Sequence, residues 1–281
     1  MDLSLIICTK NRASQLSQSL AYLGQIRSKA DWEVILVDSG STDETPQVIA
    51  DFLTSATFPA TTTYEARPGN GRGRNAGLAL ARGTIVAFSD DDCYVSPDYV
   101  DQVLEVFRNS EIGFAGGRIK LYDSSDYPIT IRDMDAPQFF PPRSFIPGGA
   151  IQGANMIFRR KVLDEIDGFD NAFGAGALFS GDDIDACARA SFAGWWGMYS
   201  PAPTVAHHHG RKEKHVQALK RRYAIGRGAY LMKFMLNSAS AAIYRRVWLQ
   251  RLIRFWTLGP RNCAQELYGS LSYLYYRFGA K

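Results

Sequence analysis

Short apolar, β-branched runs alternate with helix-patterned segments through residues 3–121, and this alternation is the strongest constraint on the fold. Four runs have the length and composition of buried parallel strands: LSLIICT (3–9), EVILVD (33–38), TIVAFS (84–89) and IGFAGGRIKL (112–121). Two segments between them carry apolar residues at helical spacing: ETPQVIADFL (44–53) and SPDYVDQVLEVF (96–107). The pattern predicts an α/β fold with a mostly parallel sheet flanked by helices.

Polar residues directly follow three of the predicted strands: CTKNR (8–12), VDSGSTD (37–43) and SDDD (89–92). Because parallel α/β sheets bind ligands at the carboxyl ends of their strands, we expect these segments to share one crevice. Asp90 and Asp92 point to the same side of an extended segment, and Asp91 points away. Mg²⁺ and Mn²⁺ prefer oxygen ligands, so the pair predicts a divalent-cation site that bridges carboxylates to a diphosphate. A solvated acidic turn is the alternative, and the triplet alone does not distinguish the two.

A second acidic group and a histidine triplet occur later in the chain. In SGDDIDACAR (180–189), Asp182 and Asp183 precede a helical pattern. A base that is ionised at neutral pH gains from a position near a helix N-terminus, although simple capping is the alternative. HHH (207–209) follows an apolar run, and one neutral imidazole would complete a metal shell begun by carboxylates. An exposed loop is the alternative for the triplet.

An arginine- and glycine-rich segment, RPGNGRGRNAGLALARG (67–83), precedes a predicted helix start. Its Arg67, Arg72 and Arg74, together with backbone N–H groups, suit a diphosphate. The segment is not a GxxxxGK[ST] loop, and it does not open with GxGxxG. These differences argue against ATP-type and dinucleotide sites.

Charge divides the chain into two parts. Residues 1–210 hold 17 Lys and Arg against 26 Asp and Glu, a net charge of −9, whereas residues 211–281 hold 15 against 2, a net charge of +13. The two values sum to the chain's +4. We therefore expect an acidic working domain over residues 1–210 and a basic, aromatic-rich helical tail over residues 211–281.

The tail carries three stripes of apolar residues at helical spacing: Val216, Leu219, Tyr223, Tyr230 and Phe234; Tyr244, Trp248, Leu252 and Phe255; Leu267, Leu271, Leu274 and Phe278. Amphipathic helices with basic residues on one side lie flat on anionic membranes, and we expect this role for the tail. Packing on the core, or a homodimer through the tail, is the alternative. Nucleic acid is not an expected partner, because RNA- and DNA-binding motifs are missing from the sequence.

The cysteines and the first residues bear on the compartment. The four cysteines lie far apart and form no CxxC, which suits a reducing cytosol. MDLSLIICTK has an early acid and no small-residue cleavage site, so it reads as a strand rather than as a signal peptide. We expect a cytoplasmic protein that associates peripherally with the inner face of the plasma membrane.

Taken together, these segments resemble the inverting family 2 glycosyltransferases of GT-A fold, a Rossmann-like architecture. The resemblance covers roughly residues 3 to 210. Six segments carry it, in order and spacing: SLIICTKNR, VILVDSGSTDET, GRGRNAGLALARGTIVAFSDDD, GANMIFRRKVLDEIDGFD, SGDDIDACAR and HHHG. It implies transfer of a sugar from a nucleotide-diphosphate donor (UDP-, GDP- or dTDP-linked) to a hydroxyl of a glycan or lipid-linked acceptor. Synthesis of a bacterial-type cell-surface polysaccharide or glycolipid is the implied setting.

The resemblance also implies roles for individual residues. Asp183 matches the catalytic base of the family. Asp90, Asp92 and His207 match its metal ligands, which implies a bound Mn²⁺ or Mg²⁺ ion. The residues implied in nucleotide and donor binding are Thr9, Asn11, Arg12, Asp38, Arg74, Asp90 and Asp91. Those implied beside the donor sugar and the acceptor are Gly153, Ala154, Asn155 and Asp182.

Two positions depart from the family's usual pattern. Asp182 replaces a commoner Glu, which shortens the arm beside the acceptor, and Ser39 follows Asp38 where many members carry a second Asp. Two other functions remain as alternatives. One is a metal-dependent nucleotidyltransferase, which also needs a nucleotide crevice and carboxylate-held metal. The other is a non-catalytic sugar-binding protein on the same fold.

Overall fold

The computed structural model describes residues 1–253 and 259–279. Nine strands form one sheet within these residues: β1 (Leu3–Thr9), β2 (Trp32–Asp38), β3 (Ala60–Tyr64), β4 (Ile85–Asp90), β5 (Cys93–Val95), β6 (Ile112–Leu121), β7 (Gln138–Phe140), β8 (Asn155–Arg159) and β9 (Trp196–His207). The helices are α1 (Ala13–Leu23), α2 (Thr45–Ser55), α3 (Asn70–Leu80), α4 (Tyr99–Val106), α5 (Arg160–Glu165), α6 (Asp182–Phe192), α7 (Glu213–Met235), α8 (Ala241–Ile253) and α9 (Pro260–Phe278).

The sheet has the order β3-β2-β1-β4-β8-β6-β9-β5, with β7 paired to β9. Strands β3, β2, β1 and β4 are parallel to one another, as the alternation of strands and helices predicts. Strand β8 runs antiparallel to both β4 and β6, and β9 is parallel to β6. The α/β fold class, with a central sheet flanked by helices and a helical C-terminal region, is confirmed.

Alternate residues of the central strands belong to two separate apolar cores. On β1, Ile6 belongs to one core, and Leu5 and Ile7 belong to the other. Such strands are buried on both faces, which explains why they read as continuous apolar runs. Helix α3 covers the first core at close range, since a Cβ on Gly77 would lie 2.6 Å from Ile6 Cγ2.

Helix α4 begins later than its sequence pattern predicts. The expected helix spans residues 96–107, whereas the observed one begins at Tyr99. The Ser96 hydroxyl donates to Asp98 Oδ1 at 2.7 Å, and Tyr99 N–H donates to the Ser96 carbonyl at 3.0 Å. These bonds satisfy the polar groups of residues 96–98 in a turn, so the helix has its N-cap at Asp98.

The tail helix α7 lies against the sheet-bearing part of the chain. Tyr230 and Phe234, from the first predicted stripe, belong to the same core as the strand residue Phe88. The Tyr230 hydroxyl donates to the Ile146 carbonyl at 2.9 Å. Packing on the core was the alternative for this stripe, and the structure places it there.

An ion pair also joins α7 to α6. Lys233 Nζ lies 2.5 Å from the buried Asp185 Oδ1 and 2.7 Å from Asp170 Oδ2. Because an unpaired buried carboxylate is costly, the pair ties the tail to the helix that carries Asp183.

The other two stripes are arranged differently. Tyr244 is fully buried, but Leu252 is exposed, and Phe255 lies outside the described residues. Three members of the third stripe are largely exposed: Leu267, Leu271 and Phe278. Over residues 1–253 and 259–279, none of the helices has both the length and the apolar character required to cross a bilayer.

Candidate functional site

Four residues that could ligate a metal meet at the carboxyl end of β4. Asp90 ends β4, Cys93 begins β5 and His207 ends β9, and the antiparallel pairing of β5 with β9 places Cys93 opposite His207. His207 Nε2 lies 3.2 Å from Asp92 Oδ1. Ligand atoms of Asp90, Asp92, Cys93 and His207 all lie within 4.8 Å of one another. Two carboxylates and an imidazole fit Mn²⁺ or Mg²⁺, and the second imidazole nitrogen, Nδ1, is buried without a partner among the described residues.

Arg12 and Thr9 bind the second and third carboxylates of the triplet, Asp91 and Asp92. Arg12 Nε lies 2.8 Å from Asp91 Oδ1, and its Nη2 donates to Asp92 Oδ2 at 2.5 Å. The Thr9 hydroxyl donates to Asp91 Oδ2 at 2.7 Å. The predicted division of the triplet agrees with this geometry, because Asp90 and Asp92 join the metal-ligating group and Asp91 does not.

Burial controls the titration of the triplet. It raises the pKa of Asp91 to about 7, although Arg12 opposes the shift. Burial and the neighbouring Asp92 also raise the pKa of Asp90. For Asp92, burial is outweighed by the hydrogen bond and the charge of His207 and by Arg12, so its pKa is lowered. Asp92 is therefore the acid of this group that is most readily ionised.

Arg74 connects the triplet with the second acidic group. Its side chain on α3 is only 3% exposed and donates to Asp182 Oδ2 and, at 3.3 Å, to the Gly153 carbonyl. Arg74 Nη2 also lies 3.8 Å from Asp90 Oδ1. A Cβ on Gly153 would lie 2.3 Å from Arg74 Nη2, so a larger residue at this position would displace the guanidinium. Asp182 was expected beside the acceptor, but its carboxylate is instead taken up by a buried guanidinium that needs a counter-charge.

Asp183 is the second residue of helix α6 and is partly buried. Its Oδ2 accepts the Gly153 N–H at 3.2 Å, and its Oδ1 accepts the Ile184 N–H at 2.8 Å. Burial, followed by the charge of Asp182, raises its pKa to about 6. A carboxyl with this pKa is ionised at neutral pH and is a stronger base than an ordinary aspartate.

A cavity of about 370 Å³ lies beside these groups. Its walls come from the ends of β1, β2, β4 and β9, from the start of α3 and from residues 175 and 176: Cys8, Thr9, Lys10, Arg12, Ser39, Pro68, Gly69, Asn70, Asp90, Asp91, Asp92, Ala175, Gly176, His207 and Arg211. The three predicted strand-end segments do share one crevice, as expected from the parallel arrangement of their strands.

Asn11 and Asp38 lie next to residues of the cavity wall and accept hydrogen bonds from the loop that follows β2. Asn11 has a left-handed backbone (φ 52°), and its Oδ1 accepts the Thr42 N–H at 2.7 Å. Asp38 Oδ1 accepts the Ser41 N–H at 2.9 Å. The cavity wall in the described part of the chain includes neither residue, although it includes Ser39.

Asn155 does not offer its side chain to a ligand, which corrects the expectation that it lies beside the donor sugar. It is fully buried, its Oδ1 accepts from the Tyr99 hydroxyl at 2.8 Å, and its Nδ2 donates to the carbonyls of Arg118 and Pro203. Ala154 is also buried, and its carbonyl accepts from the Ser89 hydroxyl. Both residues hold the adjacent Gly153 in place.

The three histidines diverge: the first belongs to the potential metal-ligating group at the end of β4, and the second to another group of potential ligands, with Asp123 and Asp126. His208 Nδ1 lies 2.9 Å from the Tyr94 hydroxyl, and His209 Nδ1 lies 3.6 Å from Asp126 Oδ2. Alternating directions are expected where the triplet continues the extended strand β9.

Sequence reasoning missed three residues of this region. Cys93 belongs to the metal-ligating group, and Arg211 lines the cavity. Tyr223, on α7, is close enough to Asp183 and Asp90 for their charges to act on its pKa, which burial raises. Tyr223 was assigned to an apolar stripe, and only the packing of α7 on the core brings its ring to the site.

Comparison with known proteins identifies relatives of this chain. The model of the family described as Glycosyl transferase family 2 matches residues 4–167, more than half of the chain. An uncharacterized glycosyltransferase of Nostoc sp. is 29% identical over 183 residues, which cover 59% of this chain and 53% of that protein. Glycosyltransferase AglE of Haloferax volcanii is 23% identical over 265 residues, covering 94% and 84%. The chain thus spans about half the length of the first of these relatives and most of the second.

Two solved structures share the fold. The mannosyltransferase PcManGT of Pyrobaculum calidifontis, in complex with GDP-Man and Mn²⁺, has a TM-score of 0.66 at 17% identity and covers 99% of this chain and 88% of its own. S. aureus TarS 1–349, in complex with UDP-GlcNAc, has a TM-score of 0.68 at 16% identity, covering 98% and 81%. At this identity the likeness concerns the fold alone.

Proposed function

The chain belongs to glycosyl transferase family 2, and from this membership we propose that it moves a sugar from a nucleoside-diphosphate donor to an acceptor hydroxyl. One observation carries the proposal. A buried arginine, Arg74, joins the Asp90–Asp92–His207 group to the Asp182–Asp183 pair, beside a cavity of about 370 Å³. This arrangement supports the proposal because one buried side chain links the group proposed to bind the diphosphate with the group proposed to accept the proton.

The donor is proposed to occupy the cavity with its diphosphate toward Asp90, Asp92 and His207, which would hold Mn²⁺ or Mg²⁺. Such a cation, when bound, offsets the negative charge that develops on the departing nucleoside diphosphate. The crevice between the ends of β1 and β2, with Thr9, Arg12 and Ser39 in its wall, is proposed to take the nucleoside. PcManGT holds GDP-Man and TarS holds UDP-GlcNAc, which supports a nucleotide-sugar donor without selecting its base.

Asp183 is proposed as the general base. Its carboxylate accepts the proton of the acceptor hydroxyl while that oxygen forms a bond to the anomeric carbon from the face opposite the leaving group. The bond from the anomeric carbon to the phosphate oxygen breaks, and its electron pair leaves with the nucleoside diphosphate. Single displacement inverts configuration, so an α-linked donor gives a β-linked product.

The N–H of Gly153 is proposed to orient this base, because it donates to the same carboxylate that must face the acceptor. Arg74 pairs with both Asp182 and Asp90, and its positive charge reduces the repulsion between the two acidic groups. The acceptor is proposed to be a glycan or a lipid-linked sugar, in the synthesis of a cell-surface polysaccharide or glycolipid.

Two further parts of the proposal concern the tail. Residues 1–210 are proposed as the catalytic domain and residues 211–281 as an extension that packs on it. The excess of 15 basic over 2 acidic residues in the extension supports peripheral attachment to an anionic membrane, at the inner face of the plasma membrane.

A panel of UDP-, GDP- and dTDP-sugars, assayed with Mn²⁺ for release of nucleoside diphosphate, tests the catalytic proposal. We expect one donor class to give nucleoside diphosphate and a product whose anomeric configuration, read by NMR, is inverted. Release of pyrophosphate from a nucleoside triphosphate incubated with a sugar 1-phosphate, in a parallel assay, would instead identify a nucleotidyltransferase. Binding of Mn²⁺ and nucleotide that raises the melting temperature without turnover of any donor would identify a binding protein.

A further inference from the structure

A second cavity, away from the site described above, lies between the tail helices α7 and α9. Its volume is about 300 Å³, and its walls are formed by Arg221, Ile225, Arg261, Ala264, Gln265 and Tyr268. The lining of this space is almost wholly apolar, and the two arginines that contribute to it are exposed, so their side chains line the cavity while their charged ends are accessible at its border. Such a combination suits a ligand with an anionic head and an apolar body.

The two helices that border this cavity cross at close range, and Ile225 of the cavity wall takes part in the crossing. A Cβ on Gly228 would lie 1.9 Å from the Glu266 carbonyl oxygen, and one on Gly269 would lie 1.9 Å from the Ile225 carbonyl oxygen. The Ser270 hydroxyl bonds the Gly228 carbonyl at 2.9 Å across the same crossing. Because the backbones touch here, the two arginines are carried on elements with a fixed separation.

The charges of Arg221 and Arg261 are not neutralised by the tail itself. The tail holds two acids, Glu213 and Glu266. Glu266 is buried and paired with Arg227 at 2.7 Å and with Arg251 at 2.5 Å. Eight exposed basic residues of the tail have no carboxylate within salt-bridge distance among residues 1–253 and 259–279: Lys214, Lys220, Arg221, Arg222, Arg245, Arg246, Arg261 and Arg277.

An exposed apolar face of α9 continues from the cavity. Its members are between 46% and 76% exposed: Leu267, Tyr268, Leu271, Tyr275 and Phe278. The opposite face of the same helix is buried, with Cys263, Gly269 and Tyr273 toward α7 and the core. Tyr268 belongs to both the cavity wall and the exposed face. An apolar face of this size beside unpaired cations is the arrangement that binds an anionic interface.

We propose that this surface binds an anionic phospholipid of a bilayer, with the phosphate between Arg221 and Arg261 and the acyl chains along the exposed face of α9. The phosphate replaces the missing carboxylate partners, and the acyl chains cover the apolar side chains. The inference rests on the membrane attachment proposed above and names the residues that make it; it is independent of the proposed catalysis.

Flotation of the full-length protein with phosphatidylcholine vesicles, with and without phosphatidylglycerol, tests the inference. We expect binding that requires phosphatidylglycerol. Each basic residue at such a surface contributes a factor of about five, so Arg221→Gln with Arg261→Gln should weaken binding roughly thirtyfold. The matched control, Arg245→Gln with Arg246→Gln, removes the same charge from α8, outside the cavity, and should cause a clearly smaller loss.

The outcomes separate the two levels of the proposal. If the wild-type protein does not bind phosphatidylglycerol vesicles, the membrane attachment fails together with this site. If it binds but the two double variants lose binding equally, only the net charge matters and the site is wrong. Leu271→Gln with Tyr275→Gln should also weaken binding at unchanged melting temperature, and unaltered binding would contradict the acyl-chain contact. Inorganic phosphate at the vesicles' phosphate concentration should not compete, because displacement would identify a free-anion site.

Discussion

At the scale of single residues, Asp183 has the two properties that a general base needs. Backbone N–H groups of Gly153 and Ile184 fix its carboxylate, and burial raises its pKa to about 6. The hydrogen bonds set direction, and the raised pKa increases affinity for the proton of an attacking hydroxyl. Neither property is visible in the sequence, where only the family resemblance distinguishes Asp183 from Asp182.

Asp183→Asn should therefore remove the proton acceptor and leave the fold intact, because an amide keeps the shape and its single carbonyl oxygen can still accept one of the two N–H groups. We expect kcat to fall by about 10²–10⁴. The measurement is nucleoside diphosphate release with the best donor, together with thermal unfolding. Asp164→Asn, at an exposed carboxylate on α5, is the matched control and should retain wild-type turnover. Near-normal turnover in Asp183→Asn would exclude this residue as the base.

The pH dependence of the wild type follows from the same group. The pKa of Asp183 is raised, so the carboxyl is protonated below about pH 6 and cannot accept a proton there. We expect kcat to rise with pH through about 6 and to level off above it. A rate profile recorded at saturating donor and Mn²⁺ checks this. A rate that is already flat between about pH 5 and 7 would contradict the assignment.

At the scale of elements, the crossing of α7 and α9 depends on glycine. Gly269 lies so close to α7 that any side chain would collide with the Ile225 carbonyl, which belongs to backbone and cannot rotate away. The third apolar stripe, which includes Leu271, therefore faces outward, and the small residues of α9 face α7. Periodicity predicted the helix over the residues of α9. If the tail packed on the core, the apolar stripe was expected to be the buried face, whereas the buried face is the one that carries Gly269 and Ser270.

Gly269→Ala should separate the two helices and lower the free energy of unfolding by about 1–3 kcal/mol, the usual cost of overpacking. Chemical denaturation monitored by tryptophan fluorescence measures the change. Gly148→Ala is the matched control, because a Cβ there meets nothing within 4 Å and its backbone φ is ordinary. Equal stabilities of the two variants would show that the helices do not cross at Gly269.

At the scale of the whole molecule, the tail and the sheet share one apolar core. Tyr230, Phe234 and Tyr244 of the tail cluster with Val86 and Phe88 of β4. Burying each large apolar side chain contributes about 1.5–3 kcal/mol, so these three together contribute on the order of 4.5–9 kcal/mol before the cost in conformational entropy. The charge boundary at residue 210 is thus not a boundary in packing.

Deletion of residues 211–281 should therefore expose this core and abolish cooperative unfolding of the remaining chain. Near-ultraviolet circular dichroism and size-exclusion chromatography of the fragment 1–210 provide the measurement, with the full-length protein as reference. Supplying residues 211–281 as a separate chain should restore part of the signal. A monomeric 1–210 fragment with a sharp melt close to that of the full-length protein would contradict the shared core.

The parallel strands and the crevice at their ends could be predicted from the residues themselves, because side-chain periodicity and the direction of parallel strands are the same wherever such a pattern occurs. The grouping of Asp90 and Asp92 with His207 was implied only by the family resemblance, because the residues alone left open which imidazole joins the carboxylates. The partners of the other site residues depend on long-range contacts, which are known only from the three-dimensional structure. Arg74 pairs with Asp182, Asn155 turns inward, and α7 brings Tyr223 to the site while α9 keeps its apolar stripe exposed. Each of these features depends on which residue lies opposite across a packed interface, and the spacing of residues along the chain does not specify that partner.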